Sequence, residues 1–232
     1  LVGSAAAGVR VRVVVRDRSA RARRPAGVRG DVGSRPSRGR CGNALNGVAL
    51  DDEVIAGPWL VEDPATGVNL IFAADRQNKL YLLSEEGRLL FSRLLSGKPL
   101  GKVEYLGSEA GRFRFLLNTP GQVYLLDSAG QDAPGFPFRL EPEAAAGMLL
   151  LPGKGQKDRQ IVIPCTDRII YSYTLKPANL DKWKKPSLSK GAASEPLYFK
   201  DKQKEYLVFR DNEGGMLLTD ANGKEKKRYP SL

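Results

Sequence analysis

The chain of 232 residues contains no histidine. That absence excludes a Ser-His-Asp triad, a Cys-His nucleophile, a histidine-ligated zinc and a histidine pH switch. Two cysteines are too few for a four-thiolate zinc site or a disulfide framework. No apolar run approaches the roughly 18 residues that suggest a membrane-spanning helix. Tryptophan and methionine occur twice each, whereas 25 Gly and 15 Pro give a turn-rich composition.

Acidic charge is also scarce, but only in one place. Residues 1–46 hold eleven arginines, no lysine, and only Asp17 and Asp31 as acids, a net charge of +9. Residues 47–232 hold 26 basic and 24 acidic residues, a net +2. The first segment draws on only ten residue types and has no aromatic, Ile, Met or Thr. Such a stretch cannot bury enough apolar surface to offset its ordering entropy, so 1–46 is read as a disordered Arg-rich low-complexity tail. Arg21-Ala22-Arg23-Arg24 would neutralise phosphates, yet no aromatic is interleaved for base stacking. An Arg- and Ser-rich targeting peptide is a second reading, weakened by Pro and Gly. A lipoprotein signal ending at Cys41 is a third, and it lacks an apolar stretch upstream. Arg, Ala, Gly and Pro share G/C-rich codons. The preferred reading is therefore an artefact, translation of a wrong frame or of non-coding DNA joined to a real domain.

The remainder, 47–232, is repetitive. Trp59-Leu60-Val61, Asn69–Ala74, Lys79–Leu83 and Arg88–Phe91 form a first set of short apolar runs separated by turns. Comparable sets recur, giving repeats at about 58–98, 101–141, 146–190 and 193–232. Phe72, Phe115, Ile163 and Phe209 are taken as equivalent in the second run. Tyr81, Tyr124, Tyr171 and Leu217 are taken as equivalent in the third. Short runs rich in Val, Ile, Phe and Tyr are strands, and Asp-, Asn- and Gly-containing stretches between them are tight turns. A period of roughly 40–50 residues with four strands per unit predicts an all-β fold, a β-propeller of at least four blades of four antiparallel strands. The chain lacks an initiating Met and stops at Tyr229-Pro230-Ser231-Leu232, so it is read as an incomplete fragment of a larger propeller. Such a fragment exposes the faces of its terminal blades.

Val123-Tyr124-Leu125-Leu126-Asp127-Ser128-Ala129-Gly130, followed by Pro134-Gly135-Phe136-Pro137-Phe138, resembles the blade motif of quinoprotein-like (PQQ-type) and FG-GAP-like propellers. It is also similar to uncharacterised propellers of the Bacteroidetes cell envelope. The resemblance covers 58–230 and is closest at 112–140. It implies a bacterial periplasmic or envelope location. Two departures follow. The loops at 62–67, 107–111, 152–158 and 200–204 lack the spaced acidic oxygens of a calcium loop. The recurrent tryptophan of quinone-dependent enzymes is missing, since Trp59 and Trp183 are not equivalent. No metal, cofactor or catalytic residue is expected.

Several residues invite a functional reading. Lys182-Trp183-Lys184-Lys185 sets an aromatic among cations and is the candidate ligand or partner contact; the plainer reading has Trp183 capping a blade edge among solvated lysines. Cys165, on an apolar strand without an activating base, reads as a buried small hydrophobe. Glu85-Glu86, Asp51-Asp52-Glu53 and Glu141-x-Glu143 read as solvated turn acids. The repeated tyrosines read as interblade core. The leading function is a non-catalytic propeller scaffold for a protein or glycan partner. A propeller hydrolase or oxidoreductase with its catalytic residues in missing blades is one alternative. Nucleic-acid binding through the Arg-rich arm is the other.

Overall fold

The computed structural model describes residues 50–63, 67–109, 112–153, 159–176 and 182–230. The Arg-rich tail, with Arg21–Arg24 and Cys41, lies outside the described residues, as do parts of three of the loops considered for calcium.

The described residues form strands and no helix. Blade one is β1 (Val54–Glu62), β2 (Asn69–Asp75), β3 (Lys79–Ser84) and β4 (Leu89–Leu94). Blade two is β5 (Leu100–Glu109), β6 (Arg112–Asn118), β7 (Gln122–Asp127) and β8 (Phe138–Arg139). Blade three holds β9 (Leu149–Leu151), β10 (Gln160–Pro164) and β11 (Ile170–Thr174). Blade four is β12 (Leu197–Asp201), β13 (Lys204–Arg210), β14 (Met216–Asp220) and β15 (Glu225–Tyr229). Each blade is an antiparallel sheet whose strands pair in chain order.

Blade three departs from the four-strand expectation. Its fourth edge is a single bridge, Ile169 to Ser187. Ile170 N–H donates to the Pro186 carbonyl and Leu188 N–H to the Arg168 carbonyl, both at 2.8 Å. Pro186 has no N–H to extend the ladder, and Lys185 before it sits at φ 46°.

Four of the turns share one device. Asp75 Oδ1 accepts the N–H groups of Gln77 and Lys79, two and four residues on. Asp127, Asp211 and Asp220 do the same for Ala129 and Gln131, Glu213 and Gly215, and Asn222 and Lys224. A carboxylate two bonds from its own backbone reaches these donors without tertiary help, so Asp marks the turn locally.

The core lies between blades. Phe72 and Phe115 meet edge to face at 4.8 Å across the first interface, with Phe91 beside Phe72. Leu106, Leu116 and Leu125 pack on Ile161, Ile163 and Cys165 across the second. Val162, Ile170 and Trp183 pack on Leu207, Phe209 and Leu217 across the third. In β10, Ile161 and Ile163 therefore face blade two while Val162 faces blade four. Burial on both sides explains apolar runs without alternation.

This two-sided burial corrects one equivalence. The ladder partners of Tyr81, Tyr124, Tyr171 and Leu217 are Ala73, Leu117, Ile163 and Phe209. Phe72 is thus not the counterpart of Phe115. It lies on the opposite side of its own sheet, and the two rings touch because they approach from different blades. A one-residue slip reverses every side chain, and a run that is apolar throughout does not reveal it.

Candidate interaction surface

The structure removes Trp183 from the candidate contact. Its indole is 7% exposed, and Nε1 donates to the Ile170 carbonyl at 2.7 Å. The ring lies against Gly223, where an added Cβ would stand 3.1 Å from it. Lys184 N–H donates to the Asn222 carbonyl at 3.0 Å, so the segment joins blade three to the β14–β15 turn. A buried indole already satisfied by a carbonyl offers no face to a base or sugar. Lys182, Lys184 and Lys185 remain exposed, with Lys185 Nζ 5.6 Å from the Tyr171 ring centre.

The carboxylate pairs do not face one another across a cleft. Lys79 pairs with Asp51, Arg76 with Glu53 and Arg139 with Glu141, and Asn69 donates to Glu85. Cys165 is fully buried, and burial pushes its thiol up to about 12, far from a thiolate at neutral pH. Among the described residues no cluster of acidic or thiol side chains has the arrangement of metal ligands.

Tyr124 and Tyr171 pack between blades, whereas Tyr81 packs with Leu50 and Ala73 on the outer side of blade one; Tyr81 and Tyr171 reach carboxylates. Tyr81 OH donates to Asp75 Oδ2 at 2.7 Å and accepts Asp51 N–H. Tyr171 OH donates to Asp167 Oδ2 at 2.8 Å. Tyr105 OH, in β5, donates to the buried Asp63 at 3.0 Å. Burial first, and the carboxylate second, raises the Tyr81 phenol and pushes Tyr105 and Tyr171 up to about 12; burial alone leads at Tyr173, also at about 12. The native state thus holds neutral phenols that ionise near pH 10 once unfolded. Their contribution is complete below pH 10 and is lost as pH rises toward 12. The denaturation midpoint is expected to fall across that window. Tyr105→Phe and Tyr171→Phe should each flatten the fall, and an unchanged slope in both would contradict the assignment.

One polar group was not legible in sequence. Glu195, just before β12, places Oε2 in a buried position with no hydrogen-bond partner. Gly101 and Gly147 make the space: an added Cβ on Gly101 would stand 2.7 Å from that oxygen, and one on Gly147 would stand 2.5 Å from the Gly101 Cα. Buried Asn118 holds the neighbouring chain, donating to the Ala146 carbonyl and accepting Met148 N–H. The first strands of blades two, three and four begin here.

Among the described residues, no sheet packs on the side of blade four turned away from blade three. Ladder partners Leu197, Val208 and Leu218 form one row on it, Phe199 and Tyr206 a second, and Arg210, Met216 and Tyr229 a third. Leu197 is 58% exposed, Phe199 43%, Met216 41% and Tyr229 41%. Phe199 and Tyr206 stack at 5.2 Å and 21°. A shallow hollow of about 350 Å³ runs beside them, between Lys204, Tyr206, Asp220 and Lys226. The outer side of blade one differs: Leu60, Leu89 and Leu94 are exposed, but Ile71, Ala73, Tyr81 and Leu83 at its centre are buried, with Leu50 packed on Ala73 and Tyr81.

No protein-family model matches the chain, and no curated protein matches it. Solved structures do. The BBS1N domain, in complex with ARL6DN, superposes with a TM-score of 0.56 at 12% identity, over 76% of this chain and 55% of that one. The dihydro-heme d1 dehydrogenase NirN, in complex with DHE, gives 0.52 at 18% identity, over 80% and 41%. The WD40 domain of Pan2 from Neurospora crassa gives 0.51 at 12% identity, over 77% and 50%. The chain spans about half the length of these structures. At such identities the likeness concerns the fold, and with the sheet topology it defines the class: the described residues are consecutive blades of a β-propeller.

Proposed function

We propose that the protein is a non-catalytic propeller scaffold that holds a protein partner against the open side of blade four. One observation carries this reading. Leu197, Phe199, Met216 and Tyr229 stand side by side and exposed on a rigid sheet whose other side is core. Contiguous apolar surface of this kind is costly in water unless something covers it. A glycan would stack on the Phe199–Tyr206 pair but would gain little from the aliphatic rows around it, so a protein surface fits better. The proposed location is the bacterial cell envelope, supported by the motif resemblance at 112–140.

A photo-crosslinking amino acid in place of Met216 tests the reading in the native host. Protein adducts are expected from that position and not from Lys190, an exposed residue of the blade three to blade four connection. Equal adduct yields from both positions would overturn it. Cell fractionation tests the location, and a cytoplasmic pool alone would sink it.

A further inference from the structure

We propose that one end of blade four, where its lysines collect, docks on an anionic lipid surface by meeting the headgroup phosphates. This is a different surface from the open side of blade four and stands without that reading. Charge in the repeated part of the chain is unevenly shared. Residues 47–181 carry a net −3 and residues 182–230 a net +5.

Strand order brings that positive charge together. In a meander of four antiparallel strands the β12–β13 and β14–β15 turns share one end, roughly 10 Å apart. The first carries exposed Lys200, Lys202 and Lys204, and the second exposed Lys224, Lys226 and Lys227. The hydrogen bond from Lys184 N–H to the Asn222 carbonyl adds exposed Lys182, Lys184 and Lys185. Lys226 pairs with Asp220 at 2.9 Å. Lys182, Lys184, Lys200, Lys202, Lys204 and Lys224 have no ion-pair partner among the described residues. Like charges about a Debye length apart still repel one another, so the cluster is unfavourable until an anion meets it. Lys185 and Lys202 also hold left-handed backbone, φ 46° and 54°. Blade one fills the same conformation at its β2–β3 turn with Asn78, φ 62°. Gly or Asn adopts it at lower cost, so both positions keep a long cation where the backbone favours a small residue. The corresponding turns of blade one carry exposed Glu62, Glu85 and Glu86, so the basic surface is local to blade four and its connection.

The chemistry of these segments selects the partner. Residues 182–185, 200–204 and 222–227 hold nine lysines and no arginine. A lysine ammonium is a point charge on a flexible stem and suits mobile headgroup phosphates, whereas arginine supplies the planar fork favoured for nucleic acid. No base can stack here, since the one aromatic of these segments, Trp183, is buried. The hollow beside the turns is no seat for a single phosphate, because Glu205 and Asp220 line it together with Lys204 and Lys226. Cations spread over two turns and a connection fit a surface of many separated charges. Each lysine held near an anionic bilayer raises partitioning about five-fold.

Co-sedimentation of the full 232-residue chain with vesicles gives the test, with circular dichroism confirming that each variant folds. Vesicles of equal parts phosphatidylglycerol and phosphatidylcholine should bind the protein, phosphatidylcholine alone should not, and added salt should release it. Residues 1–46 carry their own +9, so the readout is the difference between two variants of equal charge. Lys184→Gln with Lys202→Gln and Lys224→Gln should lower partitioning about 100-fold. Lys98→Gln with Arg139→Gln and Lys190→Gln, exposed at the opposite end of the blades, should leave it nearly unchanged. Equal losses in the two variants, binding that salt does not release, or no binding to the anionic vesicles would overturn the proposal. So would a blade-four variant that keeps its vesicle binding and loses affinity for a short DNA duplex, which would assign the surface to nucleic acid.

Discussion

Asp75→Ala is expected to destabilise the protein by about 3–5 kcal/mol, a large part of the roughly 5–15 kcal/mol that a domain commands. Asp75 is fully buried at the β2–β3 turn. One carboxylate oxygen accepts Gln77 N–H and Lys79 N–H at 2.9 Å, and the other accepts the Tyr81 hydroxyl at 2.7 Å. Alanine removes the acceptor of all three donors. Each buried donor left short costs about 1–3 kcal/mol, with some recovered by an entering water. Asp75→Asn keeps an amide oxygen for the two backbone donors and loses only the carboxylate–phenol bond, so about 1–2 kcal/mol is expected. Urea midpoints of the two variants make the comparison. Equal effects would mean that the turn bonds contribute little and that the phenol contact alone matters.

The second large effect is at the first blade interface. Phe115→Ala should cost about 3–5 kcal/mol, because the ring is fully buried and neighbouring sheets cannot collapse into the space it leaves. Phe72→Ala should cost a similar amount from the other side of the same contact. The double variant should fall short of additivity by about 0.5–1.5 kcal/mol, the coupling expected of an edge-to-face pair. Strict additivity would show that each ring packs independently, and would undo the claim that Phe72 and Phe115 face each other.

That pair also shows where a reading of the sequence stops. The strands and the turns were legible, because their signals are local. An Asp followed by donors at two and four residues, as at Asp127 and Asp220, needs no tertiary partner to bend the chain. Apolar runs of five to seven residues between such turns leave strand as the one structure that fits their length. The broken edge of blade three was not read from the sequence, where four strands per blade were expected, although Pro186 lacks the N–H that a longer ladder would need there.

Strand phase was not legible. Alternation is the signal that tells one side of a sheet from the other, and a blade buried on both sides has none, so Phe72 and Ala73 were indistinguishable until neighbours were in place. Trp183 misled for a related reason: flanking lysines describe its neighbours along the chain, whereas its burial comes from Gly223, forty residues on. The close approach of Gly101 and Gly147 and the buried Glu195 oxygen belong to the same class. The open side of blade four is the sharpest instance. Val208 and Leu218 sit in runs no less apolar than Ile161–Ile163, yet one sheet lies between two others and the other has a free side. Composition and turn chemistry determined that this protein is a series of blades. Which side chains meet, and which are left facing water, was decided only by the stacking of one blade on the next, because burial belongs to the pair of surfaces and not to either strand.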